Sequence, residues 1–205
     1  MDPRTMFLDS ADAVTELVGR IPEDDWTAHG LGDWDLRALV GHTSRAITTV
    51  ADYVAKPAPR IDCDSAVGYY LALAHLPHED AAAITARGVE AGRQMGADPV
   101  GHYHAAIART RAALQHVPDD DFVLTTLAGG MRLRDYLPTR TFELIAHGYD
   151  IARATGLAFT PHPDAAAETA VLAARIGVAQ GYAEPVIASL LGRGGPGDRS
   201  VLVRM

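Results

Sequence analysis

The chain is 205 residues long, 48% apolar, and carries one cysteine and a formal net charge of −8. That length fits one domain, or one domain with an extension, and the apolar share excludes global disorder. The acidic balance argues against non-specific nucleic-acid binding, which needs a basic face. The single Cys63 excludes an intramolecular disulfide and suits a reducing compartment.

The N-terminal stretch MDPRTMFLDSADAV carries Asp2 and Asp9 and lacks a long apolar run, so no signal peptide is expected. No window approaches the roughly 18 apolar residues of a membrane span. The chain therefore reads as soluble and cytoplasmic, with neither membrane nor nucleic acid as partner. Phe7, Ala11, Val14, Val18 and Ile21 recur at helical spacing, which predicts a helix over 4–20, ended by Pro22. Residues 23–35 read as a polar connection. Asp35 is placed to cap a second helix, over 36–55, with Trp34 and Leu39 at the positions of a hydrophobic staple.

The run KPAPR at 56–60 breaks the chain. Short helices are expected over 64–76 and 78–96, with Pro77 between them, and a further one over 100–116 after Pro99. Only 122–133 looks strand-like, and Gly129-Gly130 limits it to a small hairpin. Asp135 is expected to cap a long helix with Pro138 in its first turn and Gly156 at its end. Helices over 164–180 and 184–191 precede the tail SVLVRM. The four longest amphipathic segments, 4–20, 36–55, 100–116 and 135–155, predict an all-α protein built as an antiparallel four-helix bundle, with at most a small β-hairpin. The expected division is a bundle over 1–158 and a short helical extension over 159–205 packed on it.

Of nine histidines, most read as bland. His29, His116 and His162 fall in or beside loops. His75 and His78 bracket Pro77 in HLPHE, which is not the H-E-x-x-H zinc motif. His102 and His104 are two apart and point different ways on a helix. Glu143 and His147, four apart in RTFELIAHGYD, share one helix face among apolar neighbours. A buried Glu and His need partners, and either each other or a metal would serve. His42, near the apolar face of helix 36–55, could complete two imidazoles and one carboxylate. Such a set binds Zn²⁺, Fe²⁺ or Ni²⁺ and leaves positions open for water or substrate. Cys63 has no Cys-x-x-Cys partner and makes a weak fourth ligand.

The segments LGDWDLRALVGHTSRA (31–46) and YLPTRTFELIAHGYDIARATG (136–156) resemble the DinB-like metal-binding superfamily, and most closely its mycothiol-dependent maleylpyruvate isomerase branch. That branch places a tryptophan before L-x-x-L-V-x-H and later carries R-x-x-E-x-x-x-H-G-x-D. Trp34, His42, Arg140, Glu143, His147, Gly148 and Asp150 stand at those places. The C-terminal SLLGRGGPGDRSVLV is also similar to the branch's ending. The resemblance implies a DinB-like fold and a divalent metal, usually zinc, held by His42, Glu143 and His147. Characterised isomerases of the branch carry a longer C-terminal domain that helps bind the thiol.

The implied activity is that of a thiol-dependent metalloenzyme. A low-molecular-weight thiol, mycothiol or bacillithiol, would be held as thiolate by the metal and would add to a small electrophilic substrate, in isomerase or S-transferase chemistry. Arg140 or Arg193 could grip a substrate carboxylate. Asp150, three residues past His147, could orient that ligand or simply pair with Arg153. Two alternatives use the same residues: a hydrolase that activates water, and a metal- or small-ligand-binding protein without turnover. No Gly-x-Ser-x-Gly elbow supports a serine triad. Monomer and homodimer are both compatible with the sequence.

Overall fold

The computed structural model describes residues 1–75 and 81–193. Four long helices make the frame: α1 (Pro3–Val18), α2 (Leu36–Val54), α5 (Pro99–Gln115) and α6 (Leu133–Thr155). They close a ring in which α1 touches α6 and α5, and α2 touches the same two. Each turns an apolar stripe inward. Phe7, Ala11 and Val14 of α1 meet Leu39, Ile47 and Val50 of α2 and Leu137 and Leu144 of α6 in one core cluster. This is the expected all-α four-helix bundle. Polar groups tie the ring at its seams: the Tyr103 hydroxyl donates to the Val40 carbonyl at 2.7 Å, and Thr110 Oγ1 to Ile47 at 3.1 Å.

The shorter helices are α3 (Ala66–His75), α4 (Ala81–Gln94), α7 (Pro163–Ala179) and α8 (Ala183–Leu190). Helix α4 crosses α2 so closely that a Cβ on Gly41 would collide with the backbone of Gly92. Only glycine permits that approach. Helix α3 lies against α6 and α7, and α7 also against α6 and α1, while α8 packs on α7. No helix among the described residues is long and apolar enough to cross a membrane. Pro77, His78 and the SVLVRM tail lie outside the described residues.

Three details differ from the sequence expectation. The connection at 23–35 is not plain loop. It holds a 3₁₀ segment, Glu23–Thr27, and a second small hairpin, β1 (His29–Leu31) with β2 (Trp34–Asp35), turned at Gly32 with φ +57°. Strands of three and two residues are too short to show alternation. The expected hairpin is β3 (Val123–Thr126) with β4 (Gly129–Arg132). Helix α6 starts two residues before Asp135, which therefore sits inside its first turn, 3.4 Å from Arg132. No side chain caps this end. The Leu133 and Arg134 N–H groups donate instead to the backbone carbonyls of Phe122 and Asp120. Pro138 consequently falls in the second turn. Asp35 does cap α2, accepting from Ala38 N at 2.7 Å, and Gly156, at φ +71°, closes α6.

Candidate metal centre

Helices α2 and α6 face each other across the core, and this brings His42 to Glu143 and His147. One ligand atom from each of the three lies within 4.8 Å of the others. The His42 and His147 rings meet edge to face, 5.2 Å between centroids. His147 Nε2 lies 3.3 Å from Glu143 Oε2, and its Nδ1 lies 3.2 Å from Asp150 Oδ2. Asp150 spends its other oxygen on Arg153 Nη1, at 3.0 Å, so it meets His147 and Arg153 together. The Tyr70 hydroxyl, from α3, is 2.8 Å from Glu143 Oε1 and 3.1 Å from the Thr139 carbonyl.

The electrostatics of the two histidines are opposite. Burial works against charge on His147, but the hydrogen bonds and charges of Asp150 and Glu143 prevail and raise its pKa to about 9. Burial works against the Glu143 carboxylate too, and is outweighed by the His147 hydrogen bond, the Arg140 and His147 charges and the Tyr70 hydroxyl, so Glu143 is held low. His42 is pushed down to about 4, first by burial and then by the neighbouring positive charge of His147. It is a neutral imidazole at pH 7. Its Nδ1 is buried and has no hydrogen-bond partner among the described residues. An orphan of that kind costs about 1–3 kcal/mol. Burial and the Glu143 charge push the Tyr70 phenol upward, so it remains a donor.

These donors fit a divalent first-row metal. Two imidazoles and a carboxylate converge, one imidazole is neutral with an unsatisfied buried nitrogen, and the other has a carboxylate behind it to fix its tautomer. Cys63 is not part of the cluster; its Sγ donates to the Ser65 carbonyl at 3.4 Å. His29 and His162 serve local turns, beside the Gly32 carbonyl and as the cap of α7.

Packing holds His42 in place. The Trp34 indole lies on it, 4.5 Å between centroids, and donates from Nε1 to Thr85 O of α4 at 3.1 Å. Gly88 gives the indole room, since a Cβ there would run into the ring. His42 and Glu143 open onto a cavity of about 200 Å³. Three arginines line it, Arg45, Arg87 and Arg140, and exposed Leu127 from the β3–β4 turn reaches its wall. Glu143 is its one lining carboxylate among the described residues. Arg140 is only 9% exposed. Its guanidinium lies over the rings of Tyr69 and Tyr136, 5.3 and 5.1 Å from their centroids, while Nε donates to Thr139 Oγ1.

The family model for the mycothiol maleylpyruvate isomerase N-terminal domain matches residues 7–152. The chain belongs to this family. No curated protein and no solved structure matches the chain. The region shared with the mycothiol maleylpyruvate isomerase N-terminal domain contains His42, Arg140, Glu143, His147 and Asp150 and stops before α7. Arg193 lies outside it, exposed just beyond α8 and away from the cavity lining. Tyr70, Arg45, Arg87 and Leu127 were not singled out by the sequence. Arg45 had a usable signal, three residues after His42 on the same helix. The others come from elements whose approach to α6 no local pattern announces.

Proposed function

We propose that this chain is a divalent-metal-dependent enzyme that uses a low-molecular-weight thiol of the mycothiol kind on a small anionic electrophile, in isomerase or S-transferase chemistry. The observation that carries the reading is the convergence of His42, Glu143 and His147, with His42 and Glu143 at the wall of an arginine-lined cavity, in a chain of net charge −8. Zinc suits the donor set, with nickel and iron(II) as the other fits. When bound, the metal supplies the positive charge that lowers a thiol's pKa toward its nucleophilic form.

The protein's own residues do the rest. Asp150 holds the His147 Nδ1 proton and leaves Nε2 as the ligating nitrogen. Arg140, buried and braced on two tyrosine faces, holds a substrate carboxylate with little reorganisation, and Arg45 draws the anion in. With a cis-enoyl acid, the thiolate forms a bond to an alkene carbon and the π pair moves to the carbonyl oxygen. Rotation about the resulting single bond and expulsion of the thiolate restore the alkene in the trans form. With a halide the carbon–sulfur bond remains and halide ion departs; with an epoxide the carbon–oxygen bond breaks and the ring oxygen stays on the product, where it takes up a proton. Arg193, exposed beyond α8 and outside the cavity lining, takes no part in this reading, and a thiol of this kind implies a cytoplasmic setting. The cavity beside the ligands favours turnover over a purely structural site.

The test is a thiol titration of the cobalt-loaded protein. A change in the cobalt absorption that saturates with mycothiol is expected. An unchanged spectrum, together with a chelator-sensitive hydrolysis that needs no thiol, would replace this reading with water activation at the same site.

A further inference from the structure

We infer that Tyr70 is the positioning residue that decides how Glu143 meets a metal. This rests on the proposed metal site. A carboxylate can offer one oxygen or two, and the choice decides how many coordination positions stay open for thiol or water. Here the two oxygens are already divided. The Tyr70 hydroxyl sits 2.8 Å from Oε1, while Oε2 is turned to His147 at 3.3 Å. Oε1 is thus occupied by the phenol, which leaves Oε2, the oxygen beside the ligating nitrogen of His147, as the atom offered to a metal. The hydroxyl also reaches the Thr139 carbonyl, one turn before Glu143 on α6, so the same contact ties α3 to the ligand-bearing turn. Around it the phenol ring is fixed by Phe142 and Tyr69, at 5.2 and 5.5 Å between centroids. The hydroxyl therefore cannot swing away without unpacking the ring.

The test compares Tyr70→Phe with Tyr103→Phe in the full chain, each loaded with cobalt alone. Both variants keep the ring and lose one hydrogen-bonded hydroxyl; among the described residues Tyr103 donates to the Val40 carbonyl alone. Thermal melting checks that both fold. For Tyr70→Phe, metal affinity is expected to fall about 10-fold or more, with a cobalt spectrum changed in shape and intensity as the freed carboxylate turns. Tyr103→Phe is expected to keep the wild-type affinity and spectrum. A Tyr70→Phe protein with wild-type affinity and spectrum would overturn the assignment while leaving the metal site standing. A wild-type chain that takes up no cobalt would overturn both.

Discussion

His147 and His42 stand 5.2 Å apart, ring centre to ring centre, and the protein holds them in opposite ways. His147 is held by hydrogen bonds: Asp150 behind it, Glu143 in front, both on its own helix. His42 is held by packing: an indole on its face, that indole fastened to α4, and α4 brought close by Gly41, Gly88 and Gly92. One half of the site is thus organised and charged without a metal. The other half is neutral, with a buried nitrogen that has no partner among the described residues. The contrast shows why a buried cluster of polar side chains need not be stabilising in itself. His147 contributes to the metal-free fold, whereas the buried His42 Nδ1, without a partner among the described residues, costs stability.

The sharpest way to break this contrast is His147→Leu. It leaves Glu143 and Asp150 as partly buried carboxylates without their shared partner, and is expected to cost about 3–5 kcal/mol of metal-free stability, read by urea denaturation. Gly88→Ala attacks the other half. The added methyl must displace the Trp34 ring, so a loss of about 1–3 kcal/mol is expected, with metal affinity falling alongside. Equal stability in the two proteins would show that the indole is not confined there. Asp150→Asn keeps the shape but weakens the grip on His147; chelator competition should show metal affinity lower by about 10–100-fold.

The smallest effects separate the two rings most cleanly. His42→Leu removes the orphaned nitrogen and is expected to leave metal-free stability within about 1 kcal/mol of wild type, or slightly above it. The pH profile of the metal-free protein should bend in two directions. His42 is lowered to about 4 from its ordinary 6.5, so between those values the unfolded chain binds the extra proton and stability rises with pH. His147 is raised from 6.5 to about 9, so its contribution is complete below 6.5 and is lost as pH climbs through 9. His42→Leu should flatten the acid limb and leave the alkaline one, whereas Asp150→Asn should flatten the alkaline limb and also remove the carboxylate's own loss at the acid end, since His147 holds Asp150 below its ordinary value. A profile unaltered by either change would contradict the assignment of the two rings.

The half of the site on α6 was legible in advance because it follows helical period: Glu143 and His147 are one turn apart, and Asp150 is three residues on. His42 could be read as a candidate from its place beside an apolar stripe, and joined to the pair through the Trp34 and R-x-x-E-x-x-x-H pattern. The packing half was not legible. Trp34 over His42 depends on how closely α4 crosses α2, and a glycine in the sequence does not say which backbone it will meet. Tyr70 reaches Glu143 from an element 73 positions earlier in the chain. The bundle helices were readable from amphipathic spacing, but the start of α6 was not. Its first N–H groups are taken by backbone carbonyls, which leave no residue signature.

Metal analysis of the purified chain beside His42→Ala, Glu143→Ala and His147→Ala bears most directly on the site. About one divalent ion per wild-type chain, lost from all three variants, is the expected result. No metal in the wild type even after reconstitution with zinc or nickel would contradict it. Glu143 and His147 would then be a hydrogen-bonded core pair, and His42 a buried imidazole with an unpaid nitrogen.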